Sequence, residues 1–206
     1  MLIKMTQRSF KFPAMWGGKR KGAGRPRKDG RDEKGVTHLA RPVLKARFPV
    51  LVTWRMEETV WNLRSRRCFT VMRRAMVAGA ARFGFRLVHY AVMGNHVHLI
   101  VEAPDRVRLS RGLQGLGVRL ARGLNRVMAR HGRVVGDRYH ARILKTPSEV
   151  RGACGYLRDN ARKHYGTVGR DPYVSDAPVV APRTWRLSRA FEPLRTSAHT
   201  HTRPIL

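Results

Sequence analysis

The stretch from Phe85 to Glu102 constrains this chain most. It holds two apolar runs, Phe85 to Met93 and Asn95 to Glu102, around a tight Met93-Gly94-Asn95 link. A short Gly-Asn connection between apolar runs is a hairpin signal. A strand places residues i and i+2 on one face. In the second run Val97, Leu99 and Val101 therefore alternate with His96, His98 and Ile100. The first set is expected to face helices across the sheet, and the histidines an open face. Two imidazoles side by side can share one divalent metal.

The rest of the chain supplies what such a hairpin needs. Residues 48–56 are rich in β-branched and aromatic types and read as a first, buried strand. Phe69, Met72, Met76, Ala80 and Phe83 recur at helical spacing, predicting a helix over 67–83 that Gly84 ends. A second helix is expected over 106–131, with Leu109, Leu113, Leu116, Leu120, Leu124 and Val127 on one side. Arg108, Arg111, Arg119, Arg122, Arg126 and Arg130 gather opposite, as a solvated surface or as a rail for phosphates. Val134-Val135 and Ala141 to Leu144 carry the last strand. Thr146-Pro147-Ser148-Glu149 is a helix start, with Thr as N-cap, Pro at the first position and Glu closing a capping box. The helix it begins reaches about His164. The order β-α-β-β-α-β plus a helix predicts an α+β, ferredoxin-like split βαβ sheet with helices on one face, leaving the other face for a site.

Charge bears on the partner. The 206 residues carry a formal net charge of +30 and are 42% hydrophobic, so a folded domain with a polyanionic partner is expected. A ribosomal-type RNA binder or a coding bias towards Arg would give the same excess. Residues 1–45 form a basic arm without apolar period, expected not to fold alone. Its Gly24-Arg25-Pro26-Arg27 is like the core of an AT-hook, which lies in a narrow minor groove, though the motif is short and a nonspecific basic tail is the preferred reading. The domain is expected over 46–166. Residues 167–206 form a Pro-rich tail in which Trp185, Leu187 and Phe191 are candidates to dock back. Cys68 and Cys154 by themselves do not make a disulfide framework or a four-ligand zinc site. Without a signal-like segment or an apolar run of ~18 residues, the expectation is a soluble, cytoplasmic, nucleoid-associated protein with no membrane partner.

The candidate chemistry joins two elements. Tyr156 and Asn160 stand four apart in the last predicted helix, a spacing that shares a face. A third ligand beside His96 and His98 would be an oxygen donor, and Asn160 can supply one. Two imidazoles with amide oxygen and water suit Mg2+ or Mn2+ loosely, and such an open site serves phosphodiester chemistry. Tyr156 is the candidate nucleophile. An unassisted phenol attacks poorly, and a nearby cation favours the phenolate. Tyr165 is the second candidate. Trp54, Trp61, Tyr139 and Trp185 are candidates to stack on exposed bases, although each also fits a structural role.

With both motifs in view, the chain resembles a known family. Val92-Met-Gly-Asn-His-Val-His-Leu-Ile-Val101 looks like the histidine-hydrophobe-histidine (HUH) motif of single-tyrosine transposases. Gly155-Tyr-Leu-Arg-Asp-Asn160 looks like their tyrosine helix, and the closer similarity is to REP-associated tyrosine transposases. The likeness spans about residues 45–165. It departs where Ala161 stands in place of the usual Pro. It implies His96, His98 and Asn160 as metal ligands, Tyr156 as nucleophile, and Mg2+ or Mn2+ as the ion. It also implies cutting of single-stranded DNA near hairpins through a 5′-phosphotyrosine intermediate, by a monomer or homodimer. The alternatives are a non-catalytic hairpin- or nucleic-acid-binding relative, for which the arginines would suffice, and a replication initiator or relaxase. The last usually brings further domains.

Overall fold

The computed structural model describes residues 41–166 and 169–190. The basic arm with Arg25 and Arg27, and Phe191 of the tail, lie outside them. The elements run β1 (Val50–Arg55), α1 (Arg66–Gly79), β2 (Ala81–Arg82), β3 (Phe85–Val92), β4 (His96–Glu102), α2 (Arg106–Val127), β5 (His140–Ile143), α3 (Pro147–Tyr165) and α4 (Trp185–Ala190). The strands form one antiparallel sheet in the order β2-β3-β4-β1-β5. Leaving aside the two-residue β2, this is the expected ferredoxin-like arrangement, with the histidine-bearing β4 in the middle.

One face of the sheet carries the main core. Val97, Leu99 and Val101 of β4 join Val50, Val52 and Trp54 of β1 beneath Met72 and Met76 of α1 and the leucines of α2. Small residues let α2 approach closely. A Cβ at Gly112 would lie 2.2 Å from the Phe85 ring, and one at Gly117 would lie 2.6 Å from the Trp54 ring.

The first helix is shorter than its periodicity predicts. It ends at Gly79, and Ala81–Arg82 pair with Phe85 and Arg86 instead. Phe83 and Gly84 have φ of +55° and +83°, the left-handed pair that a tight two-residue hairpin turn requires. Gly84 is thus a turn residue, not a helix terminator, and Phe83 leaves the core for solvent at 69% exposure. The second helix likewise stops at Val127, short of 131.

The other face is not open. Val88, Ala91 and Ile100 are buried there beneath Val150, Ala153, Cys154 and Leu157 of α3, with Leu187 of α4. The expected capping box is formed: the Thr146 hydroxyl accepts from Glu149 N, and the Glu149 carboxylate accepts from Thr146 N. At the far end Gly166 closes α3 in the left-handed conformation. The Pro-rich tail has a structural role that its sequence conceals. Tyr173 O accepts from Val92 N, Ser175 N donates to Tyr90 O, and Val179 N donates to Val88 O. The tail therefore covers the edge of β3 where β2 has ended, which protects an otherwise unpaired edge. Among the described residues no helix is long and apolar enough to cross a membrane.

Candidate metal and nucleophile site

The pleat of β4 turns His96 and His98 away from the main core, towards α3. Their Nε2 atoms converge to 3.1 Å. The opposite ring nitrogens are each held: His96 Nδ1 by Asn95 Oδ1 at 2.8 Å, and His98 Nδ1 by Thr53 Oγ1 at 3.0 Å. Thr53 stands directly opposite His98 in the β1–β4 register. With the Nδ1 hydrogens donated to Asn95 and Thr53, both Nε2 atoms turn lone pairs towards the same point. Such outer partners fix the tautomer of metal-binding histidines.

Both rings are biased towards the neutral form. Burial, then the neighbouring His96 and His164, push the His98 pKa down to about 4. Burial, with His164 and Arg55, also lowers that of His96. Neutral imidazole is the form that binds metal.

Helix α3 brings Tyr156 to this point. Its hydroxyl lies 3.3 Å from His98 Nε2, and the two rings meet edge to face at 5.0 Å between centroids. Tyr156 is still 40% exposed, so a substrate can reach it. Asn160, one turn on, is 1% exposed, and its Nδ2 has no hydrogen-bond partner among the described residues. An unpartnered buried amide is costly.

The donor set fits a metal of the expected kind. Two ligands at right angles on an octahedral ion, each about 2.1 Å away, lie about 3.0 Å apart, and the observed Nε2 separation is 3.1 Å. No group of three or more His, Cys, Asp and Glu gathers among the described residues. Asn160, buried on the tyrosine face of α3, is the residue whose amide oxygen would add a third ligand.

A second constellation fixes α3 against the hairpin. Gly94 N donates to the Tyr165 hydroxyl at 2.7 Å. Arg64 lies over the rings of Tyr165 and Tyr173 at 4.4 and 4.2 Å, makes a two-pronged pair with Asp171 at 2.8 and 2.9 Å, and donates to Val92 O. Tyr165 is therefore occupied in holding the Met93-Gly94-Asn95 turn to the end of α3, a structural task that its position before Gly166 did not reveal. Arg64 and Asp171 give no sequence signal at all, being 107 residues apart.

The arginines are placed elsewhere. Arg108, Arg111, Arg122 and Arg126 are exposed on α2, while Arg119 and Arg130 are half-buried and donate to Gly115 O and Arg133 O. Helix α2 covers the sheet face opposite the histidines, so the sheet separates this stripe from Tyr156. Of the candidate stacking residues, Trp54 is core and Tyr139 is covered by Arg41 at 3.7 Å. Trp61 and Trp185 are about half exposed, at 47% and 51%. Burial pushes the Cys154 thiol up to about 11, as expected of a structural cysteine.

The fold has counterparts among solved structures. One is a REP-associated tyrosine transposase bound to a REP hairpin, at a TM-score of 0.55 and 14% identity, covering 68% of this chain and 82% of that one. Another is a candidate transposase from Deinococcus radiodurans R1, at a TM-score of 0.40 and 17% identity, covering 62% of this chain and 96% of that one. Neither a protein-family model nor a curated protein matches the sequence. The chain thus has the fold of a REP-associated tyrosine transposase.

Proposed function

We propose that the protein is a metal-dependent, single-stranded DNA endonuclease and strand transferase of the transposase kind, acting at hairpin-associated DNA through Tyr156. The observation that carries this reading is the convergence of His96 Nε2, His98 Nε2 and the Tyr156 hydroxyl within 3.1 and 3.3 Å contacts. The net charge of +30 and a fold shared with a hairpin-bound transposase support a DNA substrate.

His96, His98 and Asn160 would hold Mg2+ or Mn2+. A metal bound there would supply Lewis-acid polarisation of the scissile phosphate. Thr53 and Asn95 keep the two imidazoles in the ligating tautomer. Tyr156 Oη forms a bond to phosphorus as the P–O3′ bond breaks, and the phenol proton ends on the departing 3′-oxygen. The products are a 5′-phosphotyrosine link and a 3′-OH. Attack by a 3′-OH on that link reverses the step and joins strands, because the phosphotyrosine conserves the bond energy. The basic arm over 1–45, with Arg25 and Arg27, and the stripe on α2 would add phosphate contacts, which position DNA without specifying its sequence.

The test uses single-stranded oligonucleotides tiled across the DNA flanking the protein's own coding sequence. Each is mixed with protein and Mn2+ or Mg2+ and run on a denaturing protein gel. The expected result is a retarded covalent band that needs the metal and is absent from Tyr156→Phe. Tight hairpin binding with no band from any oligonucleotide would overturn the enzymatic reading.

A further inference from the structure

A groove at the end of the sheet remote from the histidines has the makings of a second nucleic-acid contact. Strand β4 leads from His96 to Glu102, about 20 Å at the usual strand rise. Beside Glu102 lies a cavity of about 450 Å³ lined by Arg47, Arg86, Arg183 and Trp185. It shares Gly84, Arg86 and Arg183 with a smaller hollow of about 160 Å³ beneath Phe83, so the two form one groove.

The charge of the groove is unbalanced. Its one acid, Glu102, is buried and consumed: its carboxylate accepts from Arg183 N at 2.8 Å, Thr184 N at 2.8 Å and the Thr184 hydroxyl at 2.7 Å. Arg86, whose Nε lies 3.7 Å from that carboxylate, is paired with it, which leaves the guanidinium groups of Arg47 and Arg183 to the groove. Two large aromatic rings stand at the rim, Trp185 at 51% and Phe83 at 69% exposure. Trp185 is braced by Arg186, whose guanidinium lies 4.8 Å from the ring centroid and whose Nη1 donates to Arg47 O. Phe83 occupies a turn position with φ of +55°, where a bulky residue is strained and Asn or Gly would be easier. Folding alone gives no reason for an aromatic ring there. Arg108, the first arginine of the α2 stripe, reaches Phe83 O at 3.5 Å, so the groove opens onto that stripe.

We propose that this groove binds unpaired nucleotides of the DNA strand whose backbone Tyr156 attacks, a base stacking on Trp185 and Phe83 while Arg47 and Arg183 take the adjoining phosphates. Stacking on exposed rings beside arginines is how single strands are held without regard to sequence. A duplex hides its base faces and would use the arginines alone. The assignment rests on the proposed function for the identity of the strand, and on the groove's own chemistry for the class of ligand.

The test is made on full-length Tyr156→Phe protein with chelator present, so that it needs neither metal nor nucleophile. The probe is an oligothymidylate of about 12 nucleotides, within the span such sites cover. Trp185 is one of four tryptophans, and its stacking should quench indole fluorescence. The further change Trp185→Phe should remove most of that quench while keeping affinity within about threefold, and Trp185→Ala should weaken affinity about tenfold. Arg183→Ala, at an exposed position, should reduce the slope of log affinity against log salt by about 0.7. Unaltered quench in Trp185→Phe, or unaltered affinity and salt slope in the alanine variants, would overturn the assignment, as would no binding by the parent protein. A missing covalent band in the tiled-oligonucleotide experiment would instead strike at the function of Tyr156.

Discussion

The two faces of the sheet are built to different ends. Under α1 and α2 the packing is apolar and close, with leucines, methionines and two glycines whose missing side chains admit Phe85 and Trp54. Under α3 the apolar cluster is smaller. Polar groups that a core would exclude share that face: His98 and Asn160 are 3% and 1% exposed, and His89 is buried with them. Burying such groups costs free energy unless they are partnered. The difference teaches that stability and chemistry are carried on opposite sides of one sheet, and that substitutions should separate along that line.

The largest expected effect is on the α3 face. Tyr156→Phe should lower covalent adduct formation by on the order of a thousandfold or more, with the melting temperature nearly unchanged because the residue is 40% exposed. Adduct yield and a thermal melt on the same preparation would check this. His96→Ala should abolish metal-dependent cleavage, and calorimetric titration with Mn2+ should show its heat of binding lost. Cleavage unaffected by the change, or undiminished in chelator, would break the assignment.

On the opposite face the pattern should invert. Gly112→Ala forces a methyl group into the Phe85 ring and should cost about 1–3 kcal/mol of stability by urea denaturation. Activity per folded molecule should persist.

The faces should also differ in their response to acid. Burial pushes the His89 pKa down to about 4, against a hydrogen bond to the Ser175 backbone that acts the other way. The unfolded chain binds a proton at this residue below about 6.5, whereas the folded chain stays neutral until about 4. Its contribution is therefore present above pH 6.5 and is lost as pH falls towards 4, on the order of 2 kcal/mol. His98, depressed likewise, adds in the same direction. Urea midpoints at pH 7 and pH 5 should show the loss, and His89→Gln should flatten it.

The smallest effect concerns the clamp between the two motifs. Tyr165→Phe removes the acceptor of Gly94 N and should cost about 1 kcal/mol. It should slow adduct formation several-fold without altering DNA affinity, which a quenched time course and an anisotropy titration would separate. An adduct lost altogether in this variant would instead return Tyr165 to candidacy as nucleophile.

Much of this was legible in the sequence because it is local. The hairpin around Gly94, the alternation of β4 and the capping box at Thr146 are set by neighbours in the chain, and each formed where its residues pointed. So did the facing of Tyr156 and Asn160, which needs only helical spacing. What depends on distant pairing was hidden. The helical stripe through Ala80 and Phe83 continued past Gly79, but pairing with β3 won over propensity there. Ile100 reads as facing an open side because alternation cannot say what will cover a strand. Thr53 was the one missed residue with a signal: a hydroxyl in the apolar run of β1, aligned with His98. The tail along β3 and the Arg64–Asp171 pair had none, since neither period nor motif links residues so far apart.

The most direct test of the central claim is a Mn2+-soaked crystal with data collected at the manganese absorption edge. The account predicts an anomalous peak roughly 2.0–2.3 Å from both Nε2 atoms of His96 and His98, with the Asn160 side-chain oxygen turned towards it and the Tyr156 hydroxyl beside it. A site without a peak at saturating Mn2+, or a peak held by other residues, would contradict it.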